Sequence, residues 1–235
     1  MKQWIESKMR KQAAPVLWLT RLLIITWLGI GVVSTAPAST KEEDLALRNQ
    51  LDARVAEIKK DKRLHKQMLR EGRDRTVLCN TCHGENGMAV KPVTPNLAGQ
   101  NPVYIVDQFQ RYGDGRRNDY WMSSLAQTIS VEDKIKIALY FSEMEMQPSG
   151  GGREALISQG EQLFKEVCVG CHGQDGRGQE GYARLAGQRY DYVVKMLKEF
   201  RDRTGKRINV WMTGVAIRLS DQDIEAVATY LANLE

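Results

Sequence analysis

Apolar residues along this 235-residue chain recur at intervals of three and four rather than two, the spacing of helices with one buried face. Ile135, Ala138 and Leu139 follow Ser130-Val131-Glu132-Asp133, and Ile224, Val227, Ala228 and Leu231 follow Ser220-Asp221-Gln222-Asp223. Each stretch reads as an amphipathic helix opened by a serine cap with an acid three residues on. Gly160 and Phe164 are spaced to pack a preceding helix against the second of these. The first half has Arg75 where Phe164 would align, so its helix contact is expected to be built differently. Over residues 40–75, Leu47, Leu51, Val55 and Ile58 form a narrow stripe among lysines, arginines and acids. That segment reads as a solvated helix lying against the domains, with a stalk or docking helix as the alternative. His65 falls on the same stripe and reads as a packed or surface histidine. No segment alternates apolar and polar residues between regular turn signals, so the expected fold class is all-α.

Two segments interrupt the helical pattern. Pro148-Ser149-Gly150-Gly151-Gly152 cannot hold a helix and reads as a flexible linker between halves of about 80 residues, a size at which a polypeptide core alone is marginal. At the start, Lys2, Lys8, Arg10, Lys11 and Arg21 precede the apolar run Leu22–Val33 and then Ala36-Pro37-Ala38. This is the order of a secretory signal cleaved after Ala38. The rival reading is an uncleaved anchor, since residues 13–33 are long enough to span a bilayer although Arg21 interrupts them. The balance favours cleavage, and the positive flank puts the N-terminus in the cytoplasm either way.

The chemistry lies in a repeat. Cys79-Asn80-Thr81-Cys82-His83 recurs as Cys168-Val169-Gly170-Cys171-His172, the spacing that attaches a c-type haem covalently. Two cysteines three apart on a helical turn can each form a thioether to one porphyrin, and the next histidine ligates its iron. Zinc and redox dithiol sites also use Cys-x-x-Cys, but neither requires a histidine directly after both pairs. The two motifs use all four cysteines, and of three histidines only His65 remains. Two covalently bound haems c are therefore expected.

The sixth ligand is sought among nine methionines. Leu97-Ala98-Gly99-Gln100 matches Leu185-Ala186-Gly187-Gln188, and Tyr104 matches Tyr192. Gly115-Arg116-Arg117-Asn118-Asp119-Tyr120-Trp121-Met122 matches Gly205-Lys206-Arg207-Ile208-Asn209-Val210-Trp211-Met212. Met122 and Met212 are thus the repeated pair and the expected axial ligands opposite His83 and His172; the alternative is packing against the porphyrin. Met88, Met144, Met146 and Met196 have no methionine at their repeat positions and read as fillers. Tyr104, Trp121, Tyr192 and Trp211 are expected to wall the haem crevices, with hydrogen bonds to haem propionates as the second reading and Arg116 and Lys206 as candidate ion-pair partners.

These residues carry a resemblance. Two Cys-x-x-Cys-His units, each followed by Leu-Ala-Gly-Gln, a Trp-Met loop and a terminal helix with Tyr140 or Tyr230, make residues 72 to 235 similar to the dihaem cytochrome c4 family. The resemblance implies two tandem class I cytochrome c domains, His/Met ligation at both irons, and a periplasmic electron carrier. It divides the chain into a signal or anchor (1–38), a charged helical extension (39–71), domain 1 (72–147), a linker (148–152) and domain 2 (153–235). In such folds a proline carbonyl commonly accepts the proximal histidine's ring N–H. Pro95 fits, whereas the aligned residue in the second half is Ala183, which leaves room for a difference in loop rigidity and in the second haem's potential.

Charge and composition remove other classes. The formal net charge of +5 is concentrated in residues 1–38, without which it is about +1. No basic surface for nucleic acid and no phosphate-binding glycine loop is indicated. The expected function is single-electron transfer in the periplasm, free or tethered to the inner membrane. The donor is expected to be a quinol-oxidising complex or a dehydrogenase, and the acceptor a terminal oxidase or reductase. The alternative is a dihaem subunit of a dehydrogenase complex, such as a flavoprotein oxidising sulfide. A dihaem enzyme is disfavoured, because His/Met coordination leaves no open position on iron.

Overall fold

A computed structural model describes residues 41–235. The signal or anchor segment expected over residues 1–38 lies outside the described residues. Among those described, eleven α-helices and no extended strand occur: α1 (Lys41–Lys60), α2 (Lys62–Arg75), α3 (Val77–His83), α4 (Pro102–Gly113), α5 (Tyr120–Thr128), α6 (Val131–Ser142), α7 (Ile157–Val167), α8 (Val169–His172), α9 (Tyr190–Arg201), α10 (Val210–Ala216) and α11 (Asp221–Asn233), with a 3₁₀ turn at Glu154–Leu156. None of these helices is long and apolar enough to cross a membrane.

The helix starts follow the sequence. Asp61 accepts from the Arg63 and Leu64 N–H groups at 2.9 and 3.0 Å and caps α2. Asn101 caps α4, which has Pro102 in its first turn. Ser220 and Asp223 form a reciprocal capping box on α11. Ser130 caps α6 in one direction only, because the Asp133 carboxylate turns outward to Arg75 and Lys136, each at 3.4 Å.

Two helix crossings organise the halves. α7 packs on α11 and α2 on α6. Gly160 lies so close to α11 that a Cβ there would fall 2.0 Å from the Ala226 carbonyl oxygen; at Gly72 the corresponding approach is 2.3 Å to Lys136 O. Only glycine admits such contact between two backbones. Phe164, one turn after Gly160, packs against Tyr230 with the rings tilted by 46° and centroids 5.6 Å apart. One turn after Gly72 comes Thr76, fully buried like Phe164. The structural counterpart of Phe164 is thus Thr76, not Arg75: the first half has one residue fewer between its helix crossing and its first cysteine. Helix α2 also runs unbroken through residue 72, where the sequence placed the start of the first domain. It packs on α6 as α7 packs on α11.

The linker is free of helix as expected, but it is pinned. The Gly150 N–H donates to Ala232 O at 2.9 Å, and Asn233 Nδ2 donates to Gly151 O at 3.1 Å. Gly152, at φ +79°, lies so close to Thr229 that a Cβ would meet its hydroxyl. Gly152 serves close approach, whereas a Cβ on Gly150 would meet nothing within 4 Å and its φ of +65° is what calls for glycine. All described residues belong to one compact unit. Within it the first core gathers Val103, Val106, Ile137, Leu139 and Phe141, and the second Phe164, Val193, Ile224, Val227 and Leu231. Leu51, Val55 and Ile58 of α1 join the first core, so the apolar stripe of the charged segment is buried.

Candidate functional site

Helix α3 carries Cys79, Cys82 and His83; in the second half Cys168 caps α8, which carries Cys171 and His172. In both halves the histidine is buried and its Nδ1 lies 2.9 Å from a carbonyl oxygen, that of Pro95 for His83 and of Ala183 for His172. A carbonyl can only accept, so each Nδ1 bears the proton and each Nε2 keeps a lone pair. Burial pushes both imidazoles below their ordinary pKa, which holds them neutral and competent as ligands. Burial also raises the Cys79 thiol and pushes Cys168 up to about 11. Neither is a ready thiolate, which argues against dithiol chemistry. Among the described residues no three His, Cys, Asp or Glu side chains gather as a metal-ion site, so the two cysteine pairs do not share a zinc.

Both motifs open on one continuous cavity of about 1420 Å³. That exceeds the ~300–1,000 Å³ of an ordinary single-ligand pocket. Met122 and Met212 line it from equivalent positions. Each is the third residue of its helix, with its N–H held at 3.0 Å by the capping residue, Asp119 or Asn209. Pro95, Tyr104, Trp121, Tyr192 and Trp211 line the same cavity. Trp121 and Trp211, 73% and 68% exposed, stand at its mouth.

Tyr104 and Tyr192 do more than wall a crevice. The Tyr192 hydroxyl accepts from Arg117 Nη2 at 2.7 Å, and the Tyr104 hydroxyl accepts from Arg207 Nη2. Each arginine thus reaches the tyrosine of the other half. Arg117 also donates to Gln108 Oε1 at 2.8 Å, and Arg207 to the same oxygen at 3.1 Å. Their loops pair as an antiparallel bridge, with Asn118 N–H to Lys206 O at 2.7 Å and Ile208 N–H to Arg116 O at 2.8 Å. The repeated glutamines behave alike. Gln100 exchanges two hydrogen bonds with the Arg184 main chain, and Gln188 two with that of Asn96. Contacts in which each half gives what it receives are those of an isologous interface within one chain.

Sequence offered Arg116 and Lys206 as candidate partners for the acid groups of haem and passed over Arg117 and Arg207; Arg116 binds Asp114 at 2.6 Å, Lys206 lines the cavity, and Arg117 is buried in it. The signal was present: in Gly-Arg-Arg and Gly-Lys-Arg only the second basic residue is arginine in both copies. Arg117 is buried without a carboxylate partner, an arrangement that is costly unless an anion shares the cavity. Two propionate-bearing porphyrins fit this donor set: neutral imidazoles with a free Nε2, cysteines beside them, thioethers on the cavity wall, the buried Arg117 guanidinium and the half-buried Arg207.

A helical tandem repeat with these histidine and cysteine positions defines the class of c-type cytochromes, and the comparisons agree. The family model Cytochrome c matches residues 157–235. Cytochrome c4 of Pseudomonas aeruginosa is 34% identical over 175 residues, 69% of this chain and 87% of the relative. The structure of reduced recombinant cytochrome c4 from Pseudomonas stutzeri superposes with a TM-score of 0.64 at 33% identity, covering 70% of this chain and 97% of that one. A protein of Thiomonas intermedia named thiosulfate dehydrogenase electron acceptor is 32% identical over 169 residues, 66% of this chain and 77% of the relative. The chain belongs to the cytochrome c4 family: it is a haem-binding electron-transfer protein, and its fold is that of the family's tandem helical domains.

Proposed function

We propose that this chain carries two covalent haems c and passes single electrons in the periplasm from a quinol-oxidising complex or a dehydrogenase to a terminal oxidase or reductase. The observation that carries this reading is that two Cys-x-x-Cys-His turns, with Met122 and Met212 in matching places, open on one cavity spanning both halves. Cys79 and Cys82 would hold one haem and Cys168 and Cys171 the other, with His83/Met122 and His172/Met212 as axial pairs. The bound haem supplies reversible one-electron exchange at iron. The protein fixes the histidine tautomers through Pro95 O and Ala183 O, and Arg117 and Arg207 would offer their guanidinium groups to the propionates. The periplasmic location rests on the order of basic, apolar and small residues over 1–38.

Absorption spectra test the reading. Two equivalents of covalent haem, a methionine-to-ferric-iron band, and a reduced spectrum unmoved by carbon monoxide support two closed His/Met sites. A carbon monoxide shift overturns the ligand assignment. The Met122→Ala variant should lose delivery to the acceptor, and unchanged delivery refutes routing through the first site. A second reading, the electron-accepting partner of a dehydrogenase, is favoured by the Thiomonas intermedia relative's name. Copurification of the native protein with a flavoprotein or another catalytic polypeptide distinguishes it.

A further inference from the structure

We infer that α1 is a strap on the second haem site: Arg48 stacks on Tyr182 and so holds the Ala183 carbonyl that orients His172. The inference rests on the proposed role of His172 as an iron ligand.

The two halves hold equivalent loops by different means. In the first half the carbonyl that receives His83 belongs to Pro95, whose ring fixes φ near −65°. That loop is also braced from the second half: the Val93 N–H donates to Asp191 Oδ2 at 2.9 Å, and Arg189 Nη1 donates to Ala89 O at 3.0 Å. In the second half both devices are missing. Ala183 stands where Pro95 does. The residues equivalent to Arg189 and Asp191 are Asn101, whose side chain caps α4, and Val103, which has no polar group. The loop itself is conformationally demanding, with positive φ at Gly178 (+79°), Glu180 (+48°) and Gly181 (+76°).

Helix α1, which has no counterpart in the second half, occupies the gap. Its apolar stripe is buried in the first core, yet Arg48 reaches the other half, its guanidinium carbon 4.6 Å from the Tyr182 ring centroid. The Arg48 Nε is buried with no hydrogen-bond partner, and its guanidinium lies over the ring face with the Asp52 carboxylate as a further electrostatic neighbour. Beside it, a Cβ on Gly181 would lie 3.0 Å from Val103 Cγ1 and 3.7 Å from Arg48 Cδ. Tyr182 in turn meets the His172 ring edge-on at 6.3 Å, and the next residue supplies the carbonyl on His172 Nδ1. Arg48 is therefore a positioning residue. It sets the ring orientation and basicity of His172 through its neighbours.

The experiment uses the full-length holoprotein. Peptide mass first establishes haem on Cys168 and Cys171; its absence overturns both this inference and the reading beneath it. Ring N–H exchange of the two histidines is then followed by NMR in the reduced state, alongside the two reduction potentials. Arg48→Ala should speed exchange at His172 Nδ1 about tenfold, leave His83 unchanged, and move only the second potential. Tyr182→Leu, which breaks the same contact from the other side without touching α1, should do likewise. Ala183→Pro, which supplies the first half's device and removes no hydrogen bond from the Ala183 N–H, should make Arg48→Ala silent. Unchanged His172 exchange in both contact variants, equal loosening of both histidines, or failure of Ala183→Pro to restore slow exchange would overturn the strap.

Discussion

Replacing Gln188 with alanine should destabilise the protein far more than replacing Gln100, although the two occupy matching places in the repeat. Gln188 accepts from the Asn96 N–H at 2.8 Å and donates to Asn96 O at 3.0 Å. Asn96 is 1% exposed, so truncation strands a buried donor and a buried acceptor. At about 1–3 kcal/mol for each unsatisfied group, the expected loss is roughly 2–6 kcal/mol. Gln100 makes the same two bonds to Arg184, at 2.6 and 2.9 Å. Arg184 is only half-buried, water can replace the lost partner, and the cost should be about 1 kcal/mol. Denaturant unfolding of the two holoproteins measures this. The midpoint should fall more for Gln188→Ala at unchanged slope, with a melting temperature lower by roughly 5–15 °C. Equal losses, or a larger one for Gln100→Ala, would refute the claim that burial of the receiving backbone decides the energy.

Gly160→Ala should cost about 1–3 kcal/mol, because its Cβ would fall 2.0 Å from Ala226 O and α7 must move off α11; an unchanged thermal midpoint would contradict the close crossing. Asp191, held below the usual carboxylate range mainly by its bonds with Arg189, contributes stability that is present above its unfolded pKa near 3.8 and lost as pH falls through the lower folded value. Asp191→Asn should therefore lower stability at neutral pH, with the difference from the parent vanishing in acid; an offset that persists under acid would show that the charge is not responsible. Arg117→Met should shift the reduction potentials more than Arg116→Met, read by spectroelectrochemistry, since only the former guanidinium is buried in the cavity. Preventing haem attachment with Cys168→Ser and Cys171→Ser should lower the melting temperature and expose the second core to dye, as the cavity wall loses its filling; native-like melting would show that the polypeptide core suffices.

The cysteine and histidine positions were legible because covalent haem chemistry demands a local spacing, and spacing is what a sequence displays. Helical periodicity and serine caps are likewise local, so the all-α class and the starts of α6 and α11 followed from the chain alone. Met122 and Met212 could be singled out because the repeat compares the chain with itself. What sequence could not place were contacts between residues far apart in the chain. The closeness of Gly72 to Lys136, the exchange of hydrogen bonds by Gln100 and Gln188, the reach of Arg117 to Tyr192, and the crossing of Arg48 to Tyr182 each depend on how two packed halves face one another. Arg116 and Arg117 are adjacent and chemically identical; only the tertiary structure turns one toward Asp114 and buries the other in the cavity. The single residue by which Thr76 replaces Arg75 has the same origin. Packing registers backbone approach at glycine, whereas alignment registers distance from the cysteines. The repeat in sequence established that there are two similar halves, and the geometry of their shared face decided that the cavities join.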